Sequence, residues 1–88
     1  MPRQLRHRSS SEIISTILEV TNGNRLRGRE IQFKAYLSYN ILKDYLIHLL
    51  ECGLIEYIEG ERKYKTTPKG MHALQTYNKM DEMFVKSH

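Results

Sequence analysis

The feature that most constrains the fold is an amphipathic stretch in the middle of the chain, residues 37–52. Its apolar side chains follow an i, i+3, i+4, i+7 spacing, typical of one face of an α-helix: Leu42, Tyr45, Leu46 and Leu49. Ser38 stands where a helix N-cap is favoured, and Gly53 stands where a left-handed C′ residue ends a helix. The opposite face carries Asn40, Lys43, Asp44 and Ile47. We expect a helix that buries one stripe and presents a short, mostly polar face to a partner.

Charge is unevenly distributed along this single small domain of 88 residues. The formal net charge is +4, from 14 Lys and Arg against 10 Asp and Glu. Residues 1–34 hold seven of these bases and three acids, which leaves 14 − 7 = 7 bases and 10 − 3 = 7 acids for residues 35–88. A basic excess confined to the N-terminal third indicates a polyanionic partner.

Cellular location follows from what the chain lacks. Cys52 is the only cysteine, so no intrachain disulfide forms, which favours a reducing compartment. No apolar run approaches the length of a membrane span, and the N-terminus lacks the apolar segment of a secretory signal. We expect a cytoplasmic protein, associated with the nucleoid if its polyanion is DNA.

The N-terminal third divides into an arm and two short helices. Residues 1–8 are either a frayed, solvated terminus or a basic arm that lies along phosphates or enters a minor groove. Ser9 and Glu12 have the spacing of a capping box, which predicts that a first helix starts here. A second, short helix is expected from about Glu30, and only about three residues separate its end from Ser38. Two helices joined so tightly indicate a helix-turn-helix, although an αα-hairpin in a small bundle is the alternative.

The segment after the central helix predicts a β-hairpin. Leu54, Ile55, Tyr57 and Ile58 are β-rich, and Glu59 to Glu61 form a turn. The returning residues have alternating character: Arg62, Lys63, Tyr64 and Lys65. A helix-turn-helix followed by such a hairpin is a winged helix, whose wing contacts DNA backbone or a minor groove. The same basic residues also protect a sheet edge against aggregation, which requires no ligand.

A last helix is predicted to begin at Pro68, with Thr67 as its N-cap. Met71 and Leu74 are expected to pack onto the core. Beyond them the spacing resembles a heptad seam, which is either a tail with incidental apolar residues or a dimer interface: Tyr77, Met80, Met83 and Phe84.

Three segments resemble archaeal winged-helix DNA-binding proteins, in particular the small, abundant, dimeric ones: LSYNILKDYL at 37–46, GLI at 53–55 and TPKG at 67–70. The resemblance covers roughly residues 10–80. It implies a mainly α fold of order α-α-α-β-β-α, with a winged helix-turn-helix domain at 9–70 and an extended C-terminal helix at 68–86. It also implies DNA binding, with a helix starting at Ser38 in the major groove and a wing at 59–65 beside it, and a dimer formed by an antiparallel coiled coil of the last helices. That helix is short for a long coiled coil, so a compact dimer or a monomer also fits.

Candidate contacts to double-stranded DNA are the basic and polar side chains around the two helices and the wing: Arg25, Arg27, Arg29, Lys34, Tyr36, Ser38, Tyr39, Asn40, Lys43, Arg62, Lys63 and Lys65. The sequence predicts no cofactor, metal site, small-molecule substrate or catalytic residue, because its histidines show no ligand spacing and no nucleophile motif or phosphate loop is present. Two interpretations remain. The protein binds DNA as a regulator or chromatin-type protein, or its winged helix is a protein-interaction module.

Overall fold

The computed structural model describes residues 9–86, with side chains as far as Lys79, so the predicted basic arm at 1–8 lies outside the described residues. The elements in chain order are α1 (Ser10–Val20), α2 (Gly28–Ala35), α3 (Tyr39–Glu51), β1 (Ile55–Ile58), β2 (Lys63–Thr66) and α4 (Pro68–Lys86). The two strands form one antiparallel hairpin. The predicted order and the mainly helical winged-helix fold are therefore confirmed.

The first two helices begin at hydrogen-bonded caps. At α1, the Ser9 hydroxyl oxygen accepts the Glu12 N–H and the Glu12 carboxylate accepts the Ser9 N–H, so the predicted capping box is present. Helix α2 begins at Gly28, two residues earlier than the sequence predicts. The reason is local, because the Glu30 carboxylate accepts the Arg27 N–H at 2.8 Å and closes the first turn around that residue.

Helix α3 has the ends that its sequence predicts. The Ser38 hydroxyl oxygen accepts the Ile41 N–H at the start. At the other end Gly53 has a φ of +75°. Its N–H donates to the Leu50 carbonyl at 3.1 Å, and the Leu54 N–H donates to the Leu49 carbonyl at 3.0 Å. This pair of bonds is a Schellman motif, which satisfies carbonyls that a helix end leaves open.

Three residues join α2 to α3, as expected for a helix-turn-helix. Tyr36 has a left-handed backbone with φ of +56°, and the Leu37 N–H donates to the Gln32 carbonyl at 3.2 Å. A left-handed conformation costs a non-glycine residue about 1–2 kcal/mol. The turn is held in place despite this cost because Ala35 before it is fully inaccessible and the apolar stripe of α3 after it is buried.

A single apolar core lies between the helices and the inner face of the hairpin. Helix α1 packs against α2, α4 and β2, while α3 packs against β1. The core contains the expected stripe of α3, with Tyr45 half-buried at its edge. Its fully or nearly buried apolar side chains are Ile13, Ile17, Leu18, Leu26, Ile31, Ala35, Leu42, Leu46, Leu49, Ile55 and Leu74.

Helix α4 packs onto this core along a stripe that differs in part from the expected one. Leu74 is buried, as predicted, but Met71 is 42% exposed, so its predicted packing onto the core is wrong. Tyr77, expected beyond the core, is half-buried against it. The cause is the close contact of Gly70 with the rest of the domain. The buried face of α4 therefore runs through positions three and four residues apart from Gly70, and Met71 lies off this face.

Two buried threonines connect the wing to α1. The Thr66 hydroxyl donates to the Leu18 carbonyl at 2.7 Å and lies 2.7 Å from the Thr21 hydroxyl, and the Thr66 N–H donates to the Thr21 carbonyl at 3.1 Å. The Thr21 hydroxyl in turn donates to the Ile17 carbonyl at 2.8 Å, so each hydroxyl has a carbonyl acceptor as well as its hydroxyl neighbour. Both hydroxyls are thus satisfied inside the core, which an unpaired buried hydroxyl would destabilise.

The start of α4 caps the end of α3. The Thr67 hydroxyl oxygen accepts the Gly70 N–H as the predicted N-cap, and the same hydroxyl donates to the Gly53 carbonyl at 2.7 Å. Lys69 Nζ donates to the Cys52 carbonyl at 2.8 Å. Gly70 lies so close to the Leu54 carbonyl that a Cβ atom would overlap it, and it would also come within 2.7 Å of a Thr66 methyl carbon.

Gly70→Ala is expected to lower the free energy of unfolding by about 3 kcal/mol, because α4 must move away from backbone that cannot yield. Urea denaturation measures the loss. Gly60→Ala is the matched control, since no atom lies within 4 Å of a Cβ at that position. Equal stability of the two variants would contradict the close approach.

Thr66→Val is expected to destabilise the fold by about 1–2 kcal/mol. Valine has nearly the same shape as threonine, but it removes the donor to the buried Leu18 carbonyl and the hydroxyl that lies beside Thr21. Combined with Thr21→Val, the loss should be smaller than the sum, because both single variants remove the same hydroxyl–hydroxyl contact. Thermal and urea unfolding of both single variants and the double variant measure this coupling. Thr76→Val, on the exposed side of α4, serves as the control, and additive losses would contradict the shared bond.

Candidate nucleic-acid interface

Three adjoining grooves surround α2, the start of α3 and the wing. The turn groove is lined by Arg29, Gln32, Phe33, Tyr36, Leu37 and Tyr39. The basic groove is lined by Arg27, Arg29, Glu30, Phe33, Lys34 and Lys63. The wing groove lies between α3 and the hairpin, where its side chains include Tyr39, Lys43, Ile47, Tyr57, Arg62 and Tyr64. Because the turn groove shares Arg29 and Phe33 with the basic groove and Tyr39 with the wing groove, the three form one continuous surface.

The basic groove places cations from distant parts of the chain together. Arg27, Arg29 and Lys34 come from the start and the last turn of α2, and Lys63 comes from the first residue of β2. The acid among them is Glu30, whose carboxylate is turned back to accept the Arg27 N–H. The groove therefore has a strong excess of positive charge, and its chemistry suits an anion such as a phosphate backbone.

The wing groove combines positive charge with aromatic rings. The rings of Tyr57 and Tyr64 lie on opposite strands with centroids 5.0 Å apart and planes tilted by 53°. Burial raises the pKa of the Tyr64 hydroxyl, and the neighbouring Tyr57 and Tyr39 hydroxyls raise it further. The Tyr64 hydroxyl therefore remains a neutral donor at physiological pH, and Lys43 and Arg62 supply the charge of the groove.

Hydrogen bonding of Leu26 to β2 fixes where the wing stands relative to α2. Leu26 and Tyr64 exchange two backbone bonds, with N···O distances of 3.0 and 2.7 Å, so the segment before α2 runs antiparallel beside β2. This pairing holds the first turn of α2 against the hairpin, and it explains why Gly28 lines the wing groove. No hydrophobic or charge pattern in the sequence predicts this bridge.

Two of the predicted DNA contacts are engaged with acids. Arg25 lies 2.7 Å from Glu61 at the wing tip, and Lys65 lies 3.6 Å from Glu56 across the hairpin. Such exposed pairs contribute only about 0–1 kcal/mol to stability, so either cation can exchange its partner for a phosphate. The Arg25 pair nevertheless neutralises Glu61, an acid at the wing tip that would otherwise repel phosphate. The turn itself spans residues 59–62, so Arg62, with φ of +58°, belongs to the tip rather than to a strand.

The remaining predicted contacts lie at the start of α3. Asn40 and Lys43 are exposed, and Tyr39 is 62% exposed at the first helical position. The Ser38 oxygen accepts the cap hydrogen bond, which leaves its hydroxyl hydrogen available to another acceptor. Tyr36 is 79% exposed in the preceding turn. Eight of the twelve predicted residues line the three grooves, whereas Ser38 and Asn40 line none of them and the other two are cations paired with acids.

The sequence interpretation missed three aromatic residues of this surface. Phe33 is 82% exposed and lines two of the grooves. The signal for its exposure was present, because Phe33 lies one helical turn after Arg29 and off the buried stripe of Ile31 and Ala35. Tyr57 and Tyr64 were assigned only to the hairpin, and the groove that they line depends on how the hairpin packs against α3.

The predicted dimer residues lie partly beyond the described side chains. Tyr77 is half-buried against the core of its own chain, and the side chains of Met80, Met83 and Phe84 lie outside the described residues. The helix backbone continues to Lys86. Among the described helices, none is long and apolar enough to cross a membrane.

Comparison with known proteins agrees with this geometry. A family model described as winged helix-turn-helix matches residues 7–84, which is most of the chain. No curated protein matches the sequence. Winged helix-turn-helix domains are in general DNA-binding modules and typically have no catalytic activity. The match, the three-residue turn between α2 and α3, and the hairpin that follows α3 together show that the chain belongs to the winged helix-turn-helix family.

Proposed function

We propose that this protein binds double-stranded DNA with α3 in the major groove and the wing, residues 59–65, on the adjoining backbone or minor groove. The observation that carries the proposal is the continuous basic surface on which six predicted contacts line adjoining grooves: Arg27, Arg29, Lys34, Lys43, Arg62 and Lys63. A duplex presents two phosphate rows on either side of its major groove. Cations spread over the basic groove and the wing groove suit contact with those phosphates.

Base reading in this proposal depends on few side chains. Asn40 can pair with adenine and Lys43 with guanine, while Ile47, about half exposed on the same helix, can contact a thymine methyl group. Phosphate contacts outnumber these, so we expect modest sequence preference and strong dependence on salt. Such binding suits a chromatin-type protein or a regulator, and we expect it to be nucleoid-associated in the cytoplasm.

Lys43→Ala and Arg62→Ala are expected to weaken binding to every duplex and to reduce the slope of log K against log salt by about 0.9 for each phosphate that the variant no longer neutralises. Fluorescence anisotropy with a mixed-sequence duplex at two or more salt concentrations measures both effects. Lys79→Ala is the matched control, because it removes the same charge from an exposed position on α4, outside the three grooves. If the control weakened binding as much as Lys43→Ala, net charge rather than docking would explain the affinity.

A protein-interaction module is the alternative function. It is favoured by the exposed acids of α3, Asp44 and Glu51, and by the apolar surface that Ile47 and Tyr57 expose beside the wing. The same anisotropy titration separates the two functions. Absence of duplex binding even at low salt would favour the protein-interaction module.

We propose further that the protein is a homodimer through α4, as in the small dimeric proteins that it resembles. Support comes from the length of α4, because this helix of 19 residues continues beyond Tyr77, which packs against the core. The apolar positions at its end continue a heptad-like spacing: Met80, Met83 and Phe84. Because Tyr77 is half-buried within its own chain, it contributes at most the edge of this interface.

The double variant Met80→Asp with Phe84→Asp is expected to convert a dimer into a monomer, because charge replaces apolar contact on the seam. Sedimentation equilibrium measures the mass, and circular dichroism checks that the fold is retained. Asn78→Asp is the control, since it adds one charge at an exposed position of the same helix. A mass that stays dimeric in the double variant would place the interface elsewhere.

A further inference from the structure

The turn groove has a composition that duplex binding does not explain. Phe33, Tyr36 and Tyr39 succeed one another at three-residue intervals from α2 through the turn into α3, with exposed fractions of 82%, 79% and 62%. None of them belongs to the core or packs against it. Phosphate binding needs cations but no bare phenyl ring, and a stacked duplex hides the faces of its bases.

Positive charge identifies the kind of ligand that such rings would meet. Arg29 lines the turn groove together with all three rings, and the basic groove begins on the other side of Phe33. A ligand with negative charge and flat apolar faces matches both features. An unpaired nucleic-acid strand has that chemistry, because its phosphates follow the cations while its unstacked bases lie on aromatic rings.

The backbone of Tyr36 also favours a ligand at this position. Its left-handed conformation carries a cost that glycine or asparagine would avoid, yet the position holds a large ring that is almost wholly exposed. The ring lies outside the core and is 79% exposed, so its burial offsets little of this cost. A tyrosine here is better explained by contact with something outside the chain than by stability.

We propose that the turn groove binds single-stranded nucleic acid, with bases stacked on Phe33, Tyr36 and Tyr39 and phosphates held by Arg29 and the basic groove. This is an activity in addition to the duplex binding proposed above. The two share the basic groove but depend on different side chains, since stacking needs the rings and the duplex needs Lys43 and Arg62.

The decisive variants keep apolar character at position 33 and change only the ring. Phe33→Leu is expected to weaken binding to oligo(dT) about 10-fold, because leucine cannot stack on a base. Its affinity for duplex should change less than about twofold. Phe33→Trp should retain single-strand affinity and, because the chain has no tryptophan, should provide one emitter whose fluorescence the stacked base quenches. Tyr36→Asn, which tolerates the left-handed backbone, should also weaken binding to oligo(dT), because it removes a stacking ring.

The control is Met71→Ala, which removes an exposed apolar side chain from α4, outside all three grooves, and should leave both affinities unchanged. Lys43→Ala should show the reverse pattern to Phe33→Leu, with duplex binding weakened more than single-strand binding. Parallel titrations with oligo(dT) and oligo(rU) identify the strand. Binding to either one or to both supports the proposal and defines the sugar, whereas binding to neither overturns it.

Other outcomes separate the two proposals. If duplex is bound and Phe33→Leu leaves single-strand affinity unchanged, the stacking proposal fails and the duplex proposal stands. If single strands are bound but duplex is not, the duplex proposal fails and the stacking proposal stands. A Phe33→Asp variant with a lower sedimentation mass than the parent chain would assign the rings to contact with a second copy, and would overturn the stacking proposal.

Discussion

The arrangement of the domain depends on two consecutive residues, Thr66 and Thr67. The first ends β2 and bonds to the last turn of α1 through its hydroxyl and its N–H. The second caps α4, donates its hydroxyl to the Gly53 carbonyl at the end of α3, and donates its N–H to the Leu54 carbonyl at 3.1 Å. One short segment therefore connects α1, α3, the hairpin and α4. In a domain with so small a core, a few bonds of this kind determine the angle at which the wing stands.

That angle creates the wing groove. Helix α3 and the hairpin are adjacent in sequence, but they form a groove only because Gly70 lets α4 approach the turn between them and because Leu26 pairs with β2 on the other side. The close approach leaves no room for a Cβ atom, so a larger residue would push α4 away. The positions of Lys43 and Arg62 across this groove are thus consequences of contacts made elsewhere.

Charge on the surface is divided by geometry rather than by sequence position. The three arginines at alternate positions around the start of α2 are divided: Arg25 pairs with Glu61 at the wing tip, while Arg27 and Arg29 join the basic groove. Glu30 caps its own helix and so opposes the cations less than a free acid would. As a result the Arg25–Glu61 pair carries little net charge at the wing tip. The positive field is concentrated around α2 and the start of α3.

Sequence alone determined the presence of the four helices, the caps of three of them and the winged order. Those features follow from local rules, namely apolar spacing, the Ser9, Ser38 and Thr67 caps, and the glycine that ends α3. Sequence also identified the cations of the surface. Tertiary structure alone decided which cations are paired with acids, that Tyr77 rather than Met71 faces the core, and that Phe33 lies among cations. These outcomes depend on contacts between residues far apart in the chain, and no local pattern encodes such contacts. The physical reason is that they are set by how closely α4 and β2 can approach their neighbours.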